Sequence, residues 1–198
     1  MSLSDHATSF LSDKGVSKAL VSFATDFGAM FESILSLFSV MAVVVFLWGL
    51  WQLISANKQT SGMGAPTVSG AMLKIIFGAI LYTSTTWLEA ATLSIWAGAS
   101  PMQPMSYVEQ ANAAFEQSPF VAALLAIAVF ITITGWIFFS MALYGFACMG
   151  EQQDGHGAFW KNTWMALGGV MMANAALFVT DFSESFGYTG ALYSGSGF

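Results

Sequence analysis

Residues 35–54 read LSLFSVMAVVVFLWGLWQLI, twenty positions without a charge. At 1.5 Å rise per residue, such a helix reaches about 30 Å, the thickness of a bilayer's hydrocarbon core. Three more apolar stretches follow. Residues 72–96 carry Lys74 near their start, residues 119–149 carry no charge at all, and residues 160–179 are entered past Lys161. The chain therefore reads as all-α: a polytopic membrane protein with four transmembrane helices, its transmembrane domain covering residues 34–179.

Composition agrees with that solvent. Apolar residues make up 56% of the 198-residue chain and charged residues 8%, whereas soluble domains are about one quarter charged. Net charge is −6, with eleven acids against five lysines and no arginine. Phosphate contacts need clustered Lys and Arg, so direct sequence-specific nucleic-acid binding is not expected. The one cysteine, Cys148, has no partner for an internal disulfide and reads as a small packing residue.

The first thirty residues do not show a basic start followed by an apolar core, so no cleavable export signal is expected. Val16, Leu20, Phe23, Phe27, Met30 and Ile34 recur instead at three- and four-residue steps. That period predicts an amphipathic helix over residues 14–32, within an N-terminal segment 1–33. It would lie on the membrane surface, dock on a partner, or cover its own bundle.

Lysine placement suggests a topology. Lys58 and Lys74 bracket the first connection, and Lys161 sits beyond GEQQDGHGA in the third. Residues 97–118 and the Gly/Ser/aromatic tail at 180–198 have none. Positive-inside reasoning makes Lys58, Lys74 and Lys161 cytoplasmic-side anchors, with Lys74 and Lys161 extending their ammonium groups to the interface. Four spans then put both termini outside. Lys14 and Lys18 pull the other way. Six tryptophans, at 48, 51, 87, 96, 160 and 164, fall near the expected span ends, and Glu89 falls near the outer interface.

The same order of motifs occurs twice. Leu47-Trp48-Gly49-Leu50 and Leu143-Tyr144-Gly145-Phe146 each precede a polar, glycine-rich loop. Each loop leads into Gly-Ala-x-x-Lys, at residues 70–74 and 157–161. This reads as one helical hairpin used twice in parallel orientation. Lipid provides little hydrophobic drive between helices, so small residues must let backbones approach. The candidates are Gly49, Gly78, Gly145, Gly168, Gly169 and Ala173. Thr83, Thr85 and Asn174 are candidates for polar contacts between helices, or for a polar path.

No nucleophile–base pair, metal-ligand spacing, phosphate loop or G-x-S-x-G elbow is present. No enzymatic activity, cofactor or metal is expected. Two readings stand: a structural membrane component that oligomerises or joins partner spans, and a small channel or holin-like pore.

The arrangement resembles the small multispanning proteins of type IVB secretion and IncI-type conjugation systems, of the IcmC/DotE kind. The resemblance covers roughly residues 46–179. It is carried by LWGLWQLI with its Lys/Gln/Ser loop, Gly-Ala-x-x-Lys, the connection SPMQPMSYVEQANAAF, and GEQQDGHGAFWK before the final Gly-Gly. The family often has a proline where this chain has Thr83 to Thr86. The resemblance implies a non-enzymatic part of a Dot/Icm-like transfer machine in the bacterial inner membrane. Its partners would be the bilayer and other apparatus membrane proteins, in homo- or hetero-oligomers, with a pilus- or tube-like assembly as a variant.

Overall fold

The computed structural model describes residues 14–58, 67–96, 104–115, 118–151, 155–175 and 177. These form helices α1 (Lys14–Lys58), α2 (Val68–Tyr82), α3 (Ser84–Ile95), α4 (Pro104–Phe115), α5 (Pro119–Cys148) and α6 (Gly155–Ala173), with a 3-10 turn at Met149–Glu151. The expected tail at 180–198 lies outside the described residues. Two helices, Lys14–Ala56 and Pro119–Cys148, are long and apolar enough to cross a membrane. The α2–α3 pair adds a third if it counts as one span, but it is bent by 81°. α6 is not among them, so among the described residues two or three of the four expected spans are found. Its Gly155-His156-Gly157 start and Lys161-Asn162-Thr163 dilute an otherwise apolar 19-residue helix.

Local signals account for several helix starts. Thr67 caps α2, its hydroxyl oxygen accepting from the Gly70 N–H at 3.2 Å. Pro104 and Pro119 open α4 and α5, where a missing N–H costs nothing. Helix α4 occupies a stretch expected to be a loop. Its Pro104, Tyr107, Val108 and Ala111 form a buried face at helical spacing.

The described residues fall into two compact units, and α1, α5 and α6 contribute to both. In the unit comprising Met1–Ala29, Met102–Gly135 and Met171–Phe198, α4 packs on α1 at Gly28. A Cβ there would stand 3.0 Å from Met105 Sδ and 3.1 Å from Val108 Cγ2. Phe23 and Phe27 both contact Phe130, with ring centroids 5.1 and 5.2 Å away.

The unit of Met30–Pro101 and Trp136–Val170 holds two helical hairpins. In the first, Gly78 lies on the backbone of Phe46, where a Cβ would come within 3.0 Å of the Phe46 nitrogen. Gly49 lies equally close to Ala71 O and to the Lys74 and Ile75 side chains. The α1 residue number falls as the α2 number rises, so the two helices are antiparallel. In the second hairpin Gly145 meets Asn162, and Phe146 meets Phe159 edge-on at 5.8 Å. The hairpins touch through Phe77 stacked on Phe146 at 5.1 Å and through Gly70 against Gly150. Helix α2 is thus antiparallel to both α1 and α5 within this unit.

Helix α1 carries the N-terminal segment into the first apolar stretch as one helix. No break separates residues 33 and 34. Its buried positions are Ser17, Val21, Ala24, Gly28, Phe31, Phe38, Ala42, Gly49 and Gln52, at steps of three, four and seven. That spacing places these residues along one face of α1. The expected stripe lies one residue off this face, leaving Phe23 58% and Met30 56% exposed. A helix in lipid buries small residues and turns large ones outward, because close approach replaces the hydrophobic drive.

Replacing Gly78 by valine should therefore cost about 1–3 kcal/mol of overpacking against the Phe46 backbone. Gly168 has no atom within 4 Å of a built Cβ. Gly168→Ala should be neutral, or stabilising by up to about 1 kcal/mol through helix propensity. Thermal unfolding of both variants in mild detergent checks the pair.

Candidate functional site

Polar side chains are few among the described helices, and the structure places them unevenly. The most informative is Lys74. Its position follows from α2's register: Gly70, Ala71, Lys74, Gly78 and Leu81 form one buried line. Because Gly49 lets α1 come close, the Lys74 stem is enclosed and the residue is only 4% exposed. Its ammonium donates to Gln52 Oε1 at 2.7 Å. Lys74 is therefore not an interfacial anchor reaching outward, as its sequence position suggests. It is an internal cation held by an amide of the facing helix, with the charge-assisted bond offsetting part of its desolvation.

The second feature is the break at Thr83. This residue leaves helical geometry at φ −101° and ψ 30°. Its hydroxyl donates back to Ala79 O at 3.1 Å and, more loosely, to Ile80 O at 3.4 Å. Such back-bonding and the β-branched run Thr83, Thr85, Thr86 both weaken a helix. Beyond the break, α3 buries Ser84, Leu88 and Thr92 on one face and exposes Thr85, Thr86 and Glu89. Thr83 thus bonds within its own helix, and Thr85 faces away from the chain.

The remaining candidate residues divide. Gly49, Gly78 and Gly145 sit at close helix contacts, while Gly168 faces open space rather than a neighbouring helix. Gly169, Ala173 and Asn174 are buried. Lys161 is exposed, and Lys58 is the last residue of α1. The sequence reading missed Gln52 and Asn162. Gln52 is the one amide in residues 35–54 and lies on the Gly49 face, a signal that could have paired it with Lys74. Asn162 is buried against Gly145 with no hydrogen bond to its Nδ2, and the buried Thr132, Trp136 and Ser140 likewise carry polar atoms without a partner.

Among the described residues, no three His, Cys, Asp or Glu side chains converge as a metal site would require. What the arrangement can do is hold helices together and set polar groups at defined depth. These are the features of a helical membrane protein. No family model, curated protein or solved structure matches the chain.

Gln52→Leu should destabilise the protein by about 1–3 kcal/mol, since it removes an acceptor from a buried charged donor. Adding Lys74→Met should recover much of that loss, because an apolar pair replaces a broken polar one. A double-mutant cycle of detergent-phase melting reads the coupling; additive losses would contradict it.

Proposed function

We propose that this protein is a non-enzymatic, multi-pass component of a type IVB secretion or conjugative transfer apparatus in the bacterial inner membrane. It would pack with partner spans to build the transenvelope conduit. The observation that carries this reading is the distribution of side-chain size. Small residues such as Ser17, Ala24, Gly28, Ala42, Gly49 and Gly78 alternate with larger ones on the buried faces, while Leu37, Val40, Val44, Leu47, Trp51 and Ile54 point outward. Such a chain presents long apolar helices to lipid or to other spans.

Four crossings and a repeated hairpin follow from this reading. Helix α2 is antiparallel to α1 and to α5, so those two run in the same direction. A chain that crosses twice in one direction must return between the crossings, and α2 is the described helix that begins that return. Helix α6 turns back along α5, and its 19 residues reach about 28 Å. Gly49 stands against Ala71, Lys74 and Ile75, and Gly145 against Asn162; both contacts fall at or beside the lysine of a Gly-Ala-x-x-Lys motif. That common register supports a duplicated hairpin. The bend at Thr83 falls where the resembled family often has proline. With Lys58 and Lys161 on the cytoplasmic side, both termini would be periplasmic.

A stand-alone channel or holin-like pore is the second reading, favoured by the broken helix at Thr83 with its hydroxyl run. Affinity purification of the tagged protein from native membranes in mild detergent separates the two. The apparatus reading expects a large complex with other transfer proteins, and loss of transfer in a deletion strain. A small homo-oligomer with normal transfer in the deletion strain would overturn it.

A further inference from the structure

The helix break and Lys74 cannot both lie at membrane interfaces. They are nine residues apart on one helix, about 13 Å along its axis, whereas the hydrocarbon core is about 30 Å thick. Any tilt of the helix shortens the separation along the membrane normal still further.

Helix α1 supplies the scale for locating the break. Its uncharged residues 33–57 lie between Glu32, which is exposed, and Lys58, and they extend about 37 Å. Gly78 is level with Phe46. Five residues further along α2, Thr83 is therefore level with Met41, five residues back along α1. Met41 is nine residues from Glu32, about 13 Å, and a core of about 30 Å can slide only about 7 Å within the uncharged stretch. Thr83 thus lies about 6–13 Å inside the core, in the leaflet on the Glu32 side.

Helix α3 stays at that depth. It leaves α2 at 81°, so its twelve residues advance only about 3 Å along the α2 axis. Its inward face, Ser84, Leu88 and Thr92, is buried by the chain. Thr85, Thr86 and Glu89 are exposed, with Trp87 between them. Thr83 keeps its backbone bonds, its N–H donating to Ala79 O and its carbonyl accepting from the Trp87 N–H. Lipid at this depth would still meet the Glu89 carboxyl and the Thr85 and Thr86 hydroxyls, which hydrocarbon strongly disfavours. Ionisable side chains within a membrane face protein or line water.

We propose that the segment from Thr83 to Glu89 is a water-facing wall within the bilayer, with Thr85, Thr86 and Glu89 lining an aqueous cleft. This goes beyond the reading above. It concerns depth and water alone, and holds in a stand-alone pore as in a transfer apparatus. It also reassigns Glu89, whose sequence position suggests the interface, to the interior of the membrane.

The test uses the full chain with Cys148→Ser in native-composition membranes, carrying one spin label at a time through Ile76→Cys, Tyr82→Cys, Thr86→Cys or Glu89→Cys. All four positions are exposed, so the label need not disturb packing. Collision with oxygen measures depth, and collision with a polar nickel chelate measures water. Tyr82 should report a depth about 6–13 Å inside the core. Thr86 and Glu89 should show nickel collision at least about fivefold above Ile76, the lipid-facing reference. A Tyr82 label at headgroup level would overturn the proposal, as would oxygen-rich, nickel-poor labels at both Thr86 and Glu89.

Discussion

The contact of Gly78 with the Phe46 backbone is the constraint on which the rest of the larger hairpin unit depends. A side chain at residue 78 would force the helices apart, and the Lys74 ammonium would lose the distance that lets Gln52 hold it. The same contact sets the axial register of α1 and α2. Register then determines depth, because a helix advances a fixed distance per residue and the bilayer has a fixed thickness. One missing methyl group therefore accounts for the internal lysine, and it fixes the register from which the depth of the helix break is reckoned.

Much of the interior of this protein is made of what a soluble protein would treat as filler. Ser17, Ala24, Gly28, Ala42 and Gly49 line the buried seam of α1, and Ala122, Ala123, Ala126, Ala142 and Ala147 are fully enclosed on α5. Many large apolar side chains, such as Leu37, Val40 and Trp51, face outward as lipid permits, although Leu81, Leu88, Ile133 and Trp136 are buried. Contacts through small residues are short and numerous, so dispersion and close backbone approach, rather than expulsion of water, hold the helices.

This inversion explains what could be read from the sequence and what could not. The helical membrane class follows from residues 35–54 and 119–149, where uncharged length alone decides the matter. Gly49, Gly78 and Gly145 were legible because glycine within a lipid-embedded helix has few uses other than close approach. The amphipathic stripe at Phe23 and Met30 misled, since apolar periodicity marks the lipid face as readily as the core. Helix α4 was hidden because its buried face is built from Pro104, Tyr107 and Ala111, too weakly apolar to stand out. Lys74 could not be placed from sequence alone, because its fate depends on Gln52, twenty-two residues away on another helix. The bend at Thr83 had a signal in the threonine run, but its 81° angle depends on the backbone geometry at that residue.

If α1 and α5 cross the membrane in the same direction, the chain between them must return across it, with α2 making most of that passage before the 81° bend. The most direct measurement is the sidedness of two connections, 59–66 and 97–103, by impermeant thiol labelling of single cysteines in sealed inner-membrane vesicles of known orientation. The account predicts opposite sides, with 59–66 cytoplasmic. Labelling of both from the same side would make α2–α3 a re-entrant loop and contradict it.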